Sequence, residues 1–371
     1  MTNEKKMPRR NFIKYAAGAA VVVVAGAAGA YFVTQPGAPS TGTTTVLPTT
    51  TAVLPPTTAA KVYKAAGMFY GIVTDQAWNT VGWDAMNGLK DELGWDIANS
   101  ENIYNPDAQR VIREYVTNGF DFIIPWSGSY YDEVIKAAPN FPETSLLSFS
   151  MGAWPPANLA DLPPNIQWIH SEQHPNFYAT GALAALMSKT KKIGHVGAMA
   201  YATSIASVNA YKQGALSVEP KAQVYKLWTG SWDDATKAKE ATISLFEKGV
   251  DVVQHQADLG AFGVFEAVKE YNQQGKTVWA IGLDRDQAYL APGYVLTSAL
   301  TDYHSPLLAM GKDIMNGNLG GVQNVTMEAG RLSLAPFDSK VPDEVKTKVN
   351  EIYQQLVSGQ IVVPLDTNES W

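Results

Sequence analysis

The hydrophobic pattern of the chain repeats one unit from about residue 66 onward: a short apolar run, a polar turn, and a stretch with helical spacing. Residues 67–73 form the first apolar run, and residues 78–93 follow with the spacing of an amphipathic helix. The unit recurs over 120–138, 192–216 and 250–271. Apolar strands separated by helix-length segments predict parallel sheets covered by helices on both faces.

The pattern pauses after a helix predicted over 175–188 and then restarts. We therefore predict an α/β protein with two lobes, each a doubly wound parallel sheet flanked by helices, which form a clamshell. Lobe 1 is expected to comprise residues 61–188 and about 297–371, because the chain crosses back after lobe 2, residues 189–296. The final elements are predicted as two strands within 322–334 and a helix over 343–356.

The first 33 residues have the pattern of a targeting segment. Residues 9–14, Arg-Arg-Asn-Phe-Ile-Lys, resemble a twin-arginine export signal, and residues 15–33 that follow carry no charge. That uncharged stretch is close to the ~20 residues that span a bilayer, while the small residues at 28–30 suit a cleavage site. We predict a twin-arginine-like signal or a retained membrane anchor, with the rest of the chain outside the cytoplasm.

Residues 34–60 have a different composition, rich in threonine and proline. Such a segment cannot bury a core, and it favours extended conformations typical of O-glycosylated stalks. We predict a linker that holds a folded domain away from a membrane, as in archaeal-style cell-surface proteins.

Composition excludes several classes of function. The chain contains no cysteine, which removes disulfides, thiolate metal sites, cysteine nucleophiles and the lipid-bearing cysteine of a bacterial lipoprotein. The net charge of −7, without a basic stripe, argues against nucleic acid as a partner. The five histidines lack metal-site spacing, and no nucleophile elbow, phosphate loop or dinucleotide fingerprint is present. We therefore predict no enzyme activity, no metal and no cofactor.

Polar and aromatic side chains follow the predicted strands, where open α/β sheets bind their ligands. The candidate ligand-binding residues are Asp75, Trp78, Asn79, Trp126, Ser127 and Ser150 in the first half, and Tyr201, Trp228, Asp258, Phe262, Asp284 and Asp286 in the second. Aromatic faces with a few polar groups suit a flat ring that carries hydroxyls, such as a nucleoside or a sugar. Each turn also has a plainer interpretation: Asp75 as a helix cap beside a buried Trp78, and residues 126–130 as a helix-starting turn.

Several of these segments resemble the basic membrane protein family, which includes the purine nucleoside receptor lipoproteins. Residues 75–79, Asp-Gln-Ala-Trp-Asn, are similar to its Asp-x-Ser-Phe-Asn motif, and residues 230–234 to its Gly-Ser-Phe-Asp-Asp segment. Further matches follow in the same order as in the family, at residues 184–197, 263–267, 280–287 and 292–298. The resemblance covers about residues 64–335.

The resemblance implies a type I periplasmic-binding-protein fold that captures nucleosides or related purines and delivers them to an ABC permease in the membrane. It implies that Trp78 stacks on the base with Phe262 on the opposite face. Asn79 would hydrogen-bond the ligand, and Asp284 would hold ribose hydroxyls. We expect a monomeric, extracytoplasmic solute-binding protein; a binder of a sugar or other polar ring, or a ligand-sensing surface receptor, is the alternative.

The chain departs from the family pattern at three positions. Ser150 stands where the family often has an aspartate that contacts the base edge. Residues 257–261 replace a glycine-rich run and add Asp258, and Thr301-Asp302 replaces a usual lysine. These departures predict a more acidic and more aromatic cleft, and they leave open a different purine or another polar ring.

Overall fold

The computed structural model describes residues 61–151, 161–369 and 371. The predicted signal or anchor, residues 1–33, and the predicted linker, residues 34–60, lie outside the described residues. Within the described part of the chain, no helix combines the length and the apolar character needed to cross a bilayer.

The described residues form an alternating series of strands and helices. The strands are β1 (Lys64–Met68), β2 (Asp96–Ser100), β3 (Phe122–Pro125), β4 (Ser145–Met151), β5 (Ile166–Ser171), β6 (Lys192–Gly197), β7 (Gln223–Trp228), β8 (Val252–Gln256), β9 (Trp279–Asp284), β10 (Val295–Thr301), β11 (Gly321–Val325) and β12 (Leu332–Leu334). The helices are α1 (Trp78–Leu93), α2 (Asn105–Thr117), α3 (Tyr131–Ala137), α4 (His174–Met187), α5 (Ala202–Val218), α6 (Ala235–Glu247), α7 (Ala261–Gln273), α8 (His304–Met315) and α9 (Asp343–Val357).

The strands form two six-stranded sheets, one for each lobe. The first has the order β11-β5-β4-β3-β1-β2, and all of its neighbouring strands are parallel. The second has the order β12-β10-β9-β8-β6-β7, and only the β10–β12 pair is antiparallel. The predicted architecture of two parallel α/β lobes with flanking helices is therefore confirmed.

Two strands differ from the sequence prediction. The first strand ends at Met68, earlier than the apolar run 67–73 suggested, because its register is set by pairing with β2 and β3. Strand β5 was missed because two prolines precede it and polar residues interrupt it. The turn into β5 depends on Asn165, whose Nδ2 donates to the carbonyls of Ala138, Phe141 and Thr144.

The strand order changes the predicted lobe boundaries. Helix α4, which we had assigned to lobe 1, packs along α5 and contacts strands of the second sheet. Strand β10 remains in the second sheet through Thr301, and β12 joins that sheet after β11 has returned to the first. The chain thus crosses between the sheets at three places: after β5, after β10 and between β11 and β12. These crossings lie side by side, since Glu172 N donates to Val325 O at 3.0 Å and Asp302 N to Arg331 O at 2.8 Å.

Helices α4 and α5 approach closely at two glycines. A Cβ added to Gly181 would lie 1.9 Å from the carbonyl oxygen of Tyr211, and one added to Gly214 would lie 1.9 Å from that of Tyr178. The contact is reciprocal, so neither helix can move away to accept a side chain without losing the packing of the other. This contact holds α4, which begins directly after the first crossing, firmly to lobe 2.

Candidate functional site

The loop between β1 and α1 places Asp75 and Asn79 at the edge of the first lobe that faces the second. Asp75 is buried, and its Oδ1 accepts hydrogen bonds from the amides of Ala77 and Thr80, both at 2.9 Å. Its Oδ2 accepts from the amide of Asn79 at 3.0 Å and from Asn79 Nδ2 at 2.7 Å. Asp75 therefore caps α1 and orients Asn79. Among the described residues, buried Asn79 Oδ1 has no hydrogen-bond partner.

Trp78 packs on a cluster of aromatic side chains in the first lobe. Its Nε1 donates to the Trp126 carbonyl at 3.1 Å, and Trp126 Nε1 donates to the Trp78 carbonyl at 2.9 Å. The rings of Phe149 and Tyr303 lie within 6 Å of the Trp78 ring, at centroid distances of 5.9 and 5.4 Å. Trp78 is half-buried, whereas Trp126 is completely buried and fills the space beside Gly82. Trp126, a predicted ligand contact, thus supports Trp78 from the core because its indole is enclosed on all sides.

Three carboxylates from the second lobe face this edge. Asp233 follows β7, Asp258 follows β8, and Asp284 ends β9. The pKa of Asp258 is raised well above its ordinary value by burial and by the negative charges of Asp75, Asp284 and Asp233. Partial desolvation of the carboxyl and the charge of Asp75 also raise the pKa of Asp233. The mutual influence of these groups places them in one acidic region, and Asp75 is the member that the first lobe contributes.

Asp284 is the most constrained of these carboxylates. It is buried, and its backbone has φ 65°, in the left-handed region that costs non-glycine residues energy. Gln173, from the crossing after β5, donates from Nε2 to Asp284 Oδ1 at 3.0 Å and to Thr301 Oγ1 at 3.2 Å. Burial, reinforced by the charge of Asp75, raises the pKa of Asp284 to about 7 although the Gln173 hydrogen bond lowers it.

The two remaining candidates from the first lobe are occupied by local contacts. Ser127 Oγ accepts from the Ser129 amide at 3.1 Å and begins the turn after β3. Ser150 lies at the end of β4, buried, with its Oγ 2.8 Å from His170 Nδ1 on the neighbouring strand β5. Ser127 therefore fits the plainer interpretation of a turn cap, while Ser150 belongs to a polar chain that the sequence did not reveal.

The second-lobe candidates separate into two groups. Tyr201, 50% exposed, and Phe262, 36% exposed, present open aromatic surface at the starts of α5 and α7. Trp228 is turned to another side, where its Nε1 donates to Glu369 in the C-terminal segment at 2.6 Å. Asp286 is exposed, and its Oδ1 accepts from the Ala288 amide at 3.0 Å to close a turn. Asp286 thus serves a local turn, whereas Trp228 contacts the C-terminal segment.

The lobes are joined on one side of the cleft by residues that sequence reasoning did not select. Gln287 Nε2 donates to the Gln76 carbonyl at 2.9 Å, and Arg285 Nη1 donates to Gln76 Oε1 at 3.4 Å. Tyr289 also donates its hydroxyl to Gln76 Oε1, and Arg285 pairs with Asp84 at 3.6 Å. We refer to Gln76, Arg285, Gln287 and Tyr289 as the interlobe clasp. Gln76 has φ 60°, so a strained residue lies on each side of the cleft.

A small cavity of about 20 Å³, partly open to solvent, lies beside the crossing after β5. Glu172 and Gln173 from the crossing, Thr203 from α5, Gln256 from β8 and Leu365 from the C-terminal segment line it. Glu172 and Gln173 were not candidates, because without β5 the polar residues that follow that strand could not be recognised as a strand end.

Thr301 and Asp302, which replace the family's usual lysine, have different surroundings in the structure. Thr301 reaches the cleft through Gln173, but Asp302 is paired with Arg331 at 2.9 Å, and the pKa of Asp302 is lowered. Its charge is thus compensated at the crossing. Within the described ranges, no three His, Asp or Glu side chains are grouped closely enough to hold a metal ion.

The geometry of two lobes with a polar, aromatic cleft agrees with a family comparison. Residues 62–367 match the Bmp model, described as ABC transporter substrate-binding protein, PnrA-like. The chain belongs to this family. Bmp proteins are the extracytoplasmic, ligand-capturing components of ABC transporters and are not enzymes, and the predicted family resemblance is confirmed.

Three relatives cover most of the chain. A purine-binding protein of Brucella abortus is 26% identical over 308 residues, 82% of this chain and 83% of that protein. The nucleoside-binding protein BmpA of Lactococcus lactis is 24% identical and covers 79% of this chain and 86% of its own length. A putative glucose-binding protein, TsgA13 of Haloferax volcanii, is 24% identical and covers 81% of this chain and 73% of its own length.

Solved structures agree on the fold. An ABC transporter solute-binding protein of Aeropyrum pernix superposes with a TM-score of 0.73 at 20% identity and covers 82% of this chain and 94% of that structure. This Bmp chain thus has the fold of an ABC solute-binding protein, as the sequence predicted.

Proposed function

We propose that this chain captures a nucleoside or purine-like ligand in the interlobe cleft for uptake. One observation carries the proposal. Half-buried Trp78, packed on a cluster of aromatic side chains, faces the acidic region formed by Asp233, Asp258 and Asp284. An aromatic face binds a flat base, and carboxylates accept the hydroxyl donors of a sugar. The relatives named for purines and nucleosides support this choice.

Each proposed role rests on a structural feature. Trp78 stacks on the base because Trp126, Phe149 and Tyr303 hold its ring in place. Phe262, with 36% of its surface exposed, covers the opposite face of the base. Asn79 Oδ1, oriented by Asp75, accepts an N–H or O–H donor from the ligand. Asp284 accepts ribose hydroxyls in its charged form, and Gln173 holds the carboxylate in place.

The surroundings of the protein are part of the proposal. Residues 1–33 direct export and either remain as an anchor or are removed, and residues 34–60 form the stalk. The protein acts as a monomer that presents its loaded form to a membrane permease, and its net charge of −7 disfavours nucleic acid. A sugar is the second candidate, favoured by the relative named for glucose and by the same set of carboxylate acceptors.

The test is a ligand panel read by thermal shift and calorimetry on the purified protein. The panel holds purine and pyrimidine nucleosides, free bases, ribose and glucose. We expect nucleosides to raise the melting temperature by several degrees at saturation, because a ligand that binds only the folded state stabilises it. Preferential binding of glucose selects the second candidate, and a panel without any shift overturns both.

The Trp78→Ala variant tests the site itself. It is expected to lose the ligand-induced shift, since the stacking surface is removed. Trp279→Ala is the matched control: Trp279 is also half-buried, but it begins β9 at the end remote from the cleft, under Lys340. Nucleoside binding that survives Trp78→Ala contradicts the stacking role.

A further inference from the structure

A chain of three polar side chains leads from β4 to the cavity beside the first crossing. Ser150 and His170 are register partners on β4 and β5, with Ser150 Oγ 2.8 Å from His170 Nδ1. The other ring nitrogen, His170 Nε2, lies 3.0 Å from Glu172 Oε1. Because strand pairing fixes the first two residues, the chain holds the Glu172 carboxylate at a defined place on the cavity wall.

Glu172 is kept in its charged form by this arrangement. The hydrogen bond from His170 lowers the pKa of Glu172, and that same bond raises the pKa of His170. Within the described residues, the second oxygen of Glu172 makes no hydrogen bond, so it remains available as an acceptor.

Gln256 supplies a second acceptor to the same cavity. It ends β8, is only 8% exposed, and its Oε1 is buried without a hydrogen-bond partner in the described part of the chain. A buried acceptor without a donor is destabilising, and a ligand N–H would remove that cost. Two acceptors from opposite lobes thus line one cavity.

Two other polar side chains on the cavity wall direct their donors elsewhere. Ser207 donates its hydroxyl to the Thr203 carbonyl at 3.0 Å, and His174 Nε2 is directed to the Val363 carbonyl at 3.0 Å. No lysine or arginine is among the described residues that line the cavity. The cavity therefore matches a neutral or cationic group rich in N–H donors and disfavours an anion.

We propose that Glu172 is a specificity-determining residue that, together with Gln256, selects ligands with an amino-bearing base edge. The assignment rests on the proposed function, since it concerns the base of a nucleoside held in the same cleft. A carboxylate accepts two neighbouring N–H donors at once, as the amino group and the ring N–H of guanine present them. His170 acts as a positioning residue for Glu172.

The experiment compares ligand pairs that differ by one amino group: guanosine with inosine, and adenosine with purine riboside. We expect the full-length protein to bind each amino-bearing member at least tenfold more tightly. In Glu172→Gln the preference should fall below threefold, while inosine and purine riboside retain their affinities. Glu143→Gln, at an exposed position before β4, is the matched control and should keep the wild-type preference.

The His170 variants separate positioning from simple packing. His170→Phe removes the donor to Glu172 and should reduce the amino-group preference, whereas His170→Gln can still donate and should retain part of it. If Glu172→Gln does not fold, as judged by circular dichroism, Gln256→Leu tests the same preference from the opposite lobe.

The outcomes separate the two proposals. If the wild-type protein binds no nucleoside, the proposed function fails. If it binds nucleosides without an amino-group preference, or if Glu172→Gln keeps that preference, the role of Glu172 is overturned while the proposed function stands.

Discussion

Gln287 in the second lobe donates from its Nε2 to the main-chain carbonyl of Gln76 in the first lobe at 2.9 Å. The oxygen of the same amide group, Gln287 Oε1, is held within the second lobe. It accepts from the Leu283 amide at 2.9 Å and lies 2.8 Å from His255 Nε2. The loop that follows Asp284 is thereby tied to the loop that presents Trp78 and Asn79. Contacts of this kind favour a state in which the two lobes face each other closely, and we propose that this state holds the ligand.

The interlobe clasp is expected to slow ligand release. Gln76→Ala removes the contacts of the Gln76 side chain with Arg285 and Tyr289 but leaves the carbonyl that Gln287 uses. Since each net hydrogen bond is worth about 0.5–1.5 kcal/mol, loss of the two contacts should raise the dissociation rate by roughly 5- to 140-fold. Stopped-flow displacement of the bound ligand measures this rate.

A suitable control for the clasp variant is Gln354→Ala, on the exposed side of α9. It should leave the dissociation rate and the melting temperature unchanged. An unchanged dissociation rate in Gln76→Ala would show that the clasp does not stabilise the liganded state.

The buried carboxylate of Asp284 is expected to make stability depend on pH. Its pKa in the folded state is raised to about 7 from 3.8, so between these values the folded protein holds a proton that the unfolded chain has released. The contribution of Asp284 to the free energy of unfolding is therefore present in full below about pH 4. As the pH rises towards 7, this contribution falls by at most about 4 kcal/mol. Asp284→Asn should remove this loss, so the variant gains stability relative to wild type as the pH rises from 4 to 7.

The comparison requires urea unfolding of both proteins, without ligand, at several pH values. The difference between the two free energies of unfolding isolates Asp284 from the other titrating groups. A difference that stays constant across this range contradicts a raised pKa.

Because Asp284 is proposed to bind hydroxyls when charged, wild-type affinity should rise with pH through 7, and Asp284→Asn should lose both affinity and that pH dependence.

The close approach of α4 and α5 makes Gly181 intolerant of a side chain. In Gly181→Ala the new Cβ would lie 1.9 Å from the Tyr211 carbonyl oxygen, so the helices must separate along their length. We expect a loss of about 3 kcal/mol or more in the free energy of unfolding, at the upper end of overpacking effects. Ser217→Ala, at an exposed position of α5, should change it by less than about 0.5 kcal/mol. Equal stability of the two variants in urea unfolding would contradict this packing.

The C-terminal segment is predicted to depend on Asn209 of α5. Asn209 Nδ2 donates to the carbonyls of Asp366 and Asn368 at 2.8 and 3.0 Å, and its Oδ1 accepts from Trp371 Nε1 at 2.6 Å. Asn209→Ala should release the segment at a cost of about 1–3 kcal/mol. Hydrogen exchange at residues 363–369 should accelerate, and the cavity that Leu365 lines should open.

Asn118→Ala is the control for that variant, because the Asn118 side chain donates to the Glu114 carbonyl at an exposed helix end. It should leave exchange in the C-terminal segment unchanged. Unchanged exchange in Asn209→Ala as well would mean that other contacts, such as those of Trp371 with Lys212 and Lys226, are sufficient to hold the segment.

The sequence by itself determined the features that depend on local pattern. The periodicity predicted α1 over 78–93 and the restart of the strand–helix series, because core-facing positions recur at the period of each element. The motifs at 75–79 and 230–234 indicated the family, and the strand-end rule placed Asp75, Asp258 and Asp284 in one region.

Only the tertiary structure decided how each polar atom is used. Asp75 is occupied by donors of its own helix, Trp126 lies beneath Trp78, and Trp228 faces the C-terminal segment. The chain Ser150–His170–Glu172 depends on the register of β4 with β5, which no local pattern encodes. Strand order and register bring together residues that are distant in sequence, and they determine which hydrogen-bonding groups are paired within the protein and which remain for a ligand.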